Sequence, residues 1–146
     1  MKPTKRLIFE SLNEENYLKI YQMFHKDNST FVDERFKKKT NNHYAGILHF
    51  YDINREIYEG KYLNYTCSIG FATVIPYRRK GYTKEAVNQL LKFIFTNFDM
   101  EKVISNTHKK NYAAIGLLRK LKFYKIDSFY PHDDQYNFFE TCIENF

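Results

Sequence analysis

A run of basic residues with a single glycine separates an apolar segment of the chain from a long amphipathic one. Its sequence is Arg78-Arg79-Lys80-Gly81-Tyr82-Thr83, and a helical pattern follows directly. The N-terminus of a helix carries unpaired N–H groups and a partial positive charge, so it attracts anions. Gly81 lets the backbone turn tightly and approach a ligand closely. The segment predicts a phosphate-binding loop, although an ordinary strand-to-helix turn with a solvated basic face explains the same residues.

This loop also resembles the acetyl-CoA signature of the GNAT superfamily of N-acetyltransferases. The signature is an Arg or Gln, two residues, a Gly, one residue, and then a Gly or Ala. Here the three positions are Arg78, Gly81 and Thr83, and Glu85-Ala86 follows as in many members. Upstream, Ile69–Thr73 is similar to the strand that leads into the family's loop.

Two further segments resemble the family and occur in its order along the chain. Asn111, with the later run Leu118–Phe123, is similar to the family's second element, an Asn and then Leu-Glu-Lys-Leu-Gly-Phe. Thr4–Leu7 with Asn13–Glu15 resembles the opening of the subgroup that includes ribosomal-protein alanine acetyltransferases and spermidine acetyltransferase. The four pieces cover nearly the whole chain, which is therefore identified as a member of the superfamily.

The resemblance implies acetyl-CoA as co-substrate, an amine as acceptor, and direct attack in a ternary complex. It implies that the backbone of Phe71, Ala72 and Thr73 pairs with the pantetheine arm, as a peptide adds to a sheet edge. The N–H of Thr73 would stabilise the oxyanion of the tetrahedral intermediate. Asn111 would hydrogen-bond the arm, and it equally suits a helix N-cap. The diphosphate would be held by Arg78, Arg79, Lys80, Gly81, Tyr82 and Thr83.

The sequence departs from the family pattern at positions that matter for catalysis. Ser68 stands where this subgroup often has a Glu, and Leu118 stands where many members have a Tyr that protonates the departing thiolate. Three smaller departures are Thr83 for Gly or Ala, Ala114 for Ser, and Lys122 for Gly. A left-handed helix cap at Lys122 would cost free energy, because glycine adopts that conformation most easily.

No residue is identified as the general base. A lysine amine with a pKa of ~10.4 must lose its proton before it attacks, whereas an α-amine with a pKa near ~8 needs far less help. A water relay or another side chain can accept this proton. The side chains considered are His49, Cys67, His108, Tyr130 and His132, and a structural or surface role is the favoured interpretation of each.

The elements that must position these residues follow the order β-α-(α)-β-β-α-β-α-β-β. Strands are predicted at Leu7–Leu12, Tyr44–Tyr51, Tyr62–Val74, Lys102–Thr107, Phe123–Ser128 and Asn137–Ile143. Helices are predicted at Asn13–Phe24, Phe31–Lys39, Thr83–Phe98 and Asn111–Leu121. Polar connections are predicted at Asp52–Lys61 and Tyr130–Gln135. This order describes an α/β (α+β) fold with a mixed, mostly antiparallel sheet of about six or seven strands and helices on both faces.

Composition limits the remaining possibilities. The 146 residues fit one domain, 1–146, and the net charge of +6 suits a phosphate-rich ligand, nucleic acid or an anionic membrane without choosing among them. Cys67 and Cys142 are far apart and no His cluster occurs, which argues against a metal site or a disulfide framework. No signal peptide and no apolar run of ~20 residues is present, so a cytoplasmic protein without membrane partners is expected, as a monomer or homodimer.

Two other functions compete with catalysis. A non-catalytic acyl-CoA-binding regulatory module is supported by Ser68 and Leu118, because neither side chain can act as acid or base. An RNA-binding domain is suggested by the basic charge and by Lys80-Gly81-Tyr82, but Thr83 and Lys84 break that motif, so no nucleic-acid partner is expected. For an acetyltransferase, the acceptor stays open between a protein N-terminus, a polyamine and another small amine.

Overall fold

The computed structural model describes residues 1–11, 34–39, 41, 43–51, 56–58, 61–62, 64–129 and 134–146. The predicted helix Asn13–Phe24 lies outside these residues, as do Tyr130 and His132. The chain divides into two compact units. The first comprises residues 1–50 and 71–90, and the second comprises residues 51–70 and 91–146.

The first unit contains three antiparallel strands. β1 (Leu7–Ser11) pairs with β2 (Glu34–Lys38), and β2 pairs with β3 (Tyr44–Tyr51). The register places Leu7 opposite Lys38 and shifts at an irregularity after Phe36. The predicted strands at the start of the chain and at Tyr44–Tyr51 are confirmed.

The prediction of a helix over Phe31–Lys39 is wrong for the residues that the structure describes. Glu34–Lys38 forms β2, which has a strand on each side. A short isolated helix gains little stability in water. A strand between two partners instead satisfies its backbone N–H and C=O groups along both edges. Pairing with residues distant in sequence therefore outweighs the local helical pattern.

A small antiparallel sheet begins within the predicted polar connection Asp52–Lys61 and ends one residue beyond it. It consists of β4 (Glu56–Tyr58) and β5 (Lys61–Tyr62), both in the second unit. This sheet takes Tyr62 away from the long strand that was predicted to begin there, so that boundary was wrong. The long strand starts at Thr66 instead.

Tyr65 explains why the predicted strand is broken. Its φ is 53°, in the left-handed region that non-glycine residues seldom adopt. The carbonyl of Tyr65 accepts hydrogen bonds from the N–H groups of Glu101 and Lys102 at 2.7 and 3.2 Å. These two bonds hold the turn that precedes the central strand.

The central strand β6 (Thr66–Thr73) begins in the second unit and ends in the first. In the second unit it pairs in parallel with β7 (Lys102–His108), while β8 (Tyr124–Ile126) and β7 each pair antiparallel with β9 (Tyr136–Cys142). The strand order in the sheet is β1-β2-β3-β6-β7-β9-β8. The α+β class with a mixed, mostly antiparallel sheet is confirmed.

Two helices follow β6 and β7. They are α1 (Tyr82–Asn97) and α2 (Tyr112–Lys120), and each helix end lies one residue from its predicted position. The apolar stripe of α1 is buried, as its helical spacing predicts: Ala86, Val87, Leu90, Leu91 and Ile94. Among the described residues, no helix combines the length and apolarity needed to cross a membrane.

α2 ends in a Schellman motif with a lysine at the left-handed position. Lys122 has a φ of 63°, and its N–H donates to the carbonyl of Arg119 at 3.0 Å. The N–H of Phe123 donates to the carbonyl of Leu118 at 3.0 Å, and both of these side chains are buried. The hydrogen bonds match the motif that usually contains glycine, and the two buried apolar side chains stand at the positions where that motif usually has an apolar contact. The expected left-handed cap at Lys122 is therefore present.

Replacing Lys122 by glycine should raise the free energy of unfolding by about 1 kcal/mol, because glycine has no Cβ to oppose a left-handed backbone. Chemical denaturation at neutral pH measures the change. A Lys122→Ala variant is the matched control, since alanine keeps the Cβ and should leave the stability close to wild type. Equal stability of all three proteins would contradict this account of the cap.

Candidate active site

The basic loop joins β6 to α1 through two left-handed residues. After a 3₁₀ turn at Ile75–Tyr77, Arg79 has a φ of 59° and Gly81 a φ of 78°. The carbonyl of Gly81 accepts the first helical hydrogen bond, from the N–H of Glu85 at 3.1 Å. Gly81 is therefore the N-cap, and the N–H groups of the first helical turn have no acceptor within α1. The loop thus has the polarity that attracts an anion.

Side chains fasten the end of β6 to this loop. Nε of Arg78 donates to the carbonyl of Thr73 at 3.1 Å. The hydroxyl groups of Thr73 and Thr83 form a hydrogen bond with each other. The structure therefore brings the predicted oxyanion donor, Thr73, together with the predicted diphosphate loop. Thr83 departs from the Gly or Ala of the family pattern, and its hydroxyl makes a contact with Thr73 that neither of those residues could make.

The N-terminal segment crosses the start of α1, which the sequence did not reveal. Oε1 of Glu85 accepts from the hydroxyl of Thr4 and, at 2.9 Å, from the backbone N–H of Arg6. Oε2 of Glu85 accepts from Nε of Arg6 at 2.6 Å. Nη1 of Arg6 donates to the carbonyl of Lys80 at 2.9 Å. The family resemblance included these residues, but nothing in the sequence predicted a contact between Arg6 and Glu85, which are 79 residues apart.

Glu85 stays ionised at neutral pH. Partial burial raises the pKa of this carboxyl, but the hydrogen bonds from Thr4 and Arg6 and the positive charge of Arg6 outweigh burial and hold the pKa below its ordinary value. A carboxylate in the first turn also interacts favourably with the helix dipole. Glu85 therefore binds Arg6 as a charged pair.

Two tyrosine rings and three cations surround the loop within the first unit. The rings of Tyr77 and Tyr82 meet edge to face with centroids 6.4 Å apart. The guanidinium carbon of Arg6 lies 4.5 Å from the Tyr82 centroid, and Nζ of Lys38 and Lys80 lie 5.0 and 5.9 Å from the Tyr77 centroid. Such cation–π contacts restrict long side chains. Lys38 and Lys80 add positive charge beside the helix N-terminus, while the charge of Arg6 is paired with Glu85.

In the second unit, the ladder between β6 and β7 is short. It covers three residue pairs and ends at Ser68 opposite Ile104. Beyond it, the carbonyl of Ile69 accepts a hydrogen bond from Oγ of Ser105 at 3.2 Å. β6 itself continues to Thr73. A side-chain contact thus replaces the backbone ladder where the two parallel strands part.

The two positions where the family often has an acid or base are buried here. Ser68 is 5% exposed and Leu118 is fully buried. Leu118 belongs to the core, and Ser68 has no titratable group at physiological pH. Neither position supplies a proton donor or acceptor.

Asn111 is the N-cap of α2, in the second unit. Its Oδ1 accepts a hydrogen bond from the N–H of Ala114 at 3.2 Å, and its own N–H donates to the carbonyl of His108 at 2.9 Å. The capping interpretation is confirmed. A contact between the amide of Asn111 and a cofactor stays a prediction.

The described side chains considered as general bases have different environments. Burial lowers the pKa of His49 to about 4 and raises the pKa of the buried Cys67 thiol to about 12. Cys67 is therefore a protonated core residue at neutral pH. His108 is exposed, and its Nδ1 accepts from the N–H of Lys110 at 3.1 Å, which leaves Nε2 to carry the proton of the neutral ring.

The lowered pKa of His49 predicts a loss of stability in acid. Between its ordinary pKa of 6.5 and about 4, the unfolded chain binds a proton that the folded chain does not. The free energy of unfolding should therefore fall as the pH drops through this range, by up to about 3 kcal/mol from this group. The free energy of unfolding, measured by chemical denaturation from pH 7 to 4, should fall less for His49→Gln than for wild type. An equal fall in both proteins would contradict the lowered pKa of His49.

Comparisons with known proteins agree with this geometry. A model of the acetyltransferase (GNAT) domain matches residues 6–124. The chain is 28% identical over 138 residues to the SPbeta prophage-derived uncharacterized N-acetyltransferase YokL of Bacillus subtilis (strain 168), covering 86% of this chain and 73% of that protein.

Solved acetyltransferase structures share the fold. The ribosomal-protein alpha-N-acetyltransferase RimL in complex with coenzyme A is 13% identical with a TM-score of 0.76, over 99% of this chain and 98% of that one. A chimera of spermidine N-acetyltransferase SpeG from Vibrio cholerae and hSSAT is 12% identical with a TM-score of 0.71, over 94% and 96%. The expected likeness to the ribosomal-protein and spermidine subgroup is confirmed.

Proposed function

The chain belongs to the GNAT family of N-acetyltransferases, and we propose that it transfers the acetyl group of acetyl-CoA to a primary amine by direct attack in a ternary complex. The observation that carries this proposal is the loop at the start of α1. Its left-handed residues, Arg79 and Gly81, lead into a helix N-terminus that is hydrogen-bonded through Thr83 and Arg78 to the end of β6. A diphosphate and a thioester would thus bind to adjoining parts of one rigid segment.

In this proposal the diphosphate binds at Arg78–Thr83, where the N–H groups and positive charges lie. The pantetheine arm pairs with the backbone of Phe71 to Thr73, and the N–H of Thr73 donates to the thioester oxygen. The early end of the β6–β7 ladder supports this placement, because β6 continues past its last pair with β7. An added strand-like ligand needs such backbone groups. With acetyl-CoA as co-substrate, the proposed location of the reaction is the cytoplasm.

The chemistry depends mainly on positioning and on the oxyanion donor. The amine nitrogen attacks the carbonyl carbon, the negative charge on the oxygen is stabilised by the N–H of Thr73, and the carbon–sulfur bond then breaks. The amine loses a proton and the departing thiolate gains one. Since Ser68 and Leu118 cannot exchange these protons, we propose water as the carrier and an amine of low pKa, such as an α-amine near ~8, as the preferred acceptor.

Ser68 and Leu118 also favour one alternative, an acyl-CoA-binding regulatory module without catalysis. Turnover of an amine discriminates the two functions. The protein is incubated with acetyl-CoA and a mixed library of peptides, polyamines and small amines, and the products are analysed by mass spectrometry. An acetyltransferase should give products about 42 Da heavier than their parent amines, the mass that one acetyl group adds. Binding of CoA without any product supports the module instead.

A substitution at Gly81 tests the loop. Gly81→Ala should weaken CoA binding at least about tenfold, because its φ of 78° disfavours a Cβ and that atom would lie 3.3 Å from Nη2 of Arg6. Gly116→Ala is the matched control, since a Cβ there meets nothing within 4 Å. Isothermal titration calorimetry measures both affinities. Equal CoA affinity of the two folded variants would refute the loop assignment.

Asn111→Asp separates capping from cofactor binding. Aspartate keeps an oxygen that can accept from the N–H of Ala114, so thermal stability should stay close to wild type. It lacks the amide donor that would reach the pantetheine arm, so CoA affinity should fall several-fold. Asn111→Ala should lower both, with a loss of stability of about 1 kcal/mol. Unchanged CoA affinity in Asn111→Asp would show that Asn111 is a cap only.

A further inference from the structure

We propose that Arg6 is a positioning residue for the cofactor loop: it binds the carbonyl of Lys80 and thereby directs the N–H of Gly81 toward the diphosphate. The proposal rests on the proposed function, because the diphosphate site is part of it. Arg6 lies 75 residues before Gly81, and nothing in the loop motif itself includes it. The contacts that assign this role all lie within the first unit.

The peptide plane between Lys80 and Gly81 transmits the effect. A trans peptide is planar, so its C=O and N–H groups point in opposite directions. Nη1 of Arg6 donates to the carbonyl of Lys80 at 2.9 Å. The N–H of Gly81 therefore points away from Arg6. Rotation of this peptide would break the bond to Arg6 and turn the N–H away from its present direction.

Arg6 is held through both its backbone and its side chain, which is 42% exposed, so it can orient the loop. Its backbone N–H donates to Oε1 of Glu85 at 2.9 Å, and its carbonyl accepts from the N–H of Lys39 at 2.9 Å. Its side chain donates through Nε to Oε2 of Glu85 at 2.6 Å and lies over the ring of Tyr82. Thr4 donates to the same carboxylate and accepts from the N–H of Leu7 at 3.1 Å. The guanidinium thus has a fixed position relative to α1.

The geometry requires an arginine at this position. The planar guanidinium offers five N–H donors in a rigid fork, so one edge can bind a carboxylate while another nitrogen binds a carbonyl. Lysine has the charge but only one nitrogen, which cannot occupy both places. Glu85 also neutralises the charge of Arg6, and so the role of Arg6 is to orient a backbone group more than to attract the anion.

The closing experiment compares CoA with pantetheine. Pantetheine has the same arm but lacks the diphosphate and the adenosine 3′-phosphate attached to it. In Arg6→Met, CoA affinity should fall about ten- to a hundredfold, the size expected when a hydrogen bond to a charged group is lost, while pantetheine affinity stays within about twofold of wild type. Arg6→Lys should behave like Arg6→Met. A general loss of structure would weaken both ligands alike, and thermal unfolding of each variant monitors it.

Lys5→Met is the matched control. Lys5 is the exposed neighbour of Arg6 and carries the same charge. If net charge alone were responsible, Lys5→Met and Arg6→Met would weaken CoA equally, and Arg6→Lys would restore binding; either result overturns the proposal. Unchanged CoA affinity in Arg6→Met, beside a wild-type protein that binds CoA, also overturns it while leaving the proposed function intact. Failure of the wild-type protein to bind CoA would instead overturn the proposed function.

Discussion

The hydrogen bonds that hold the turn between β6 and α1 are the constraint on which the proposed chemistry depends. Two residues there have left-handed backbones, and for Arg79 that conformation costs on the order of 1 kcal/mol or more. The surrounding contacts offset this cost. Arg78 and Thr83 bind Thr73, and Arg6 binds Lys80. The backbone of the turn is held by side chains from both its ends and from the start of the chain, so its N–H groups are oriented before any ligand binds.

A preoriented turn has a consequence for catalysis. Donors that are already aimed at an anion need not reorganise during the reaction, which is why such sites stabilise charge well. Among the described residues, Leu118 and Cys67 offer no acid–base chemistry, since both are buried in the core and the Cys67 thiol is protonated at neutral pH. In the proposed reaction, proton transfer then relies on the acceptor's own pKa and on water. Such a reaction would favour amines that are already partly neutral.

Local patterns in the sequence predicted the parts of the fold that local interactions determine. The apolar spacing from Ala86 to Ile94 predicted α1 to within one residue, and the glycine at position 81 marked the turn before it. Two predictions failed where distant residues decide the structure. β2 is a strand because β1 and β3 pair with it, and the strand before Thr66 is broken where Tyr65 binds Glu101 and Lys102. The sequence contains no local mark of these partners.

The site shows the same division between near and distant contacts. The residues of the signature, Arg78 and Gly81, could be recognised because their spacing is set by one turn of backbone. The contacts of Thr4 and Arg6 with Glu85 could not, since they join positions about eighty residues apart. The left-handed backbone of Lys122 is a local feature, because it follows from the end of α2. A lysine at this position only raises the free-energy cost of that conformation relative to glycine.

One departure from the family pattern becomes understandable only from the assembled site. From the sequence alone, a threonine in place of a small residue at position 83 predicts a tighter phosphate turn or an added hydroxyl contact. The structure shows a hydroxyl contact, and its partner is Thr73, the residue whose N–H is proposed to face the thioester. Thr73 is then held by Arg78 through its carbonyl and by Thr83 through its hydroxyl. Because a trans peptide is rigid, fixing one residue by two groups limits how its neighbours can rotate. The hydroxyl of Thr83 thus connects the proposed diphosphate end of the site to the proposed acetyl end, so that the two ends form one structural unit in this proposal.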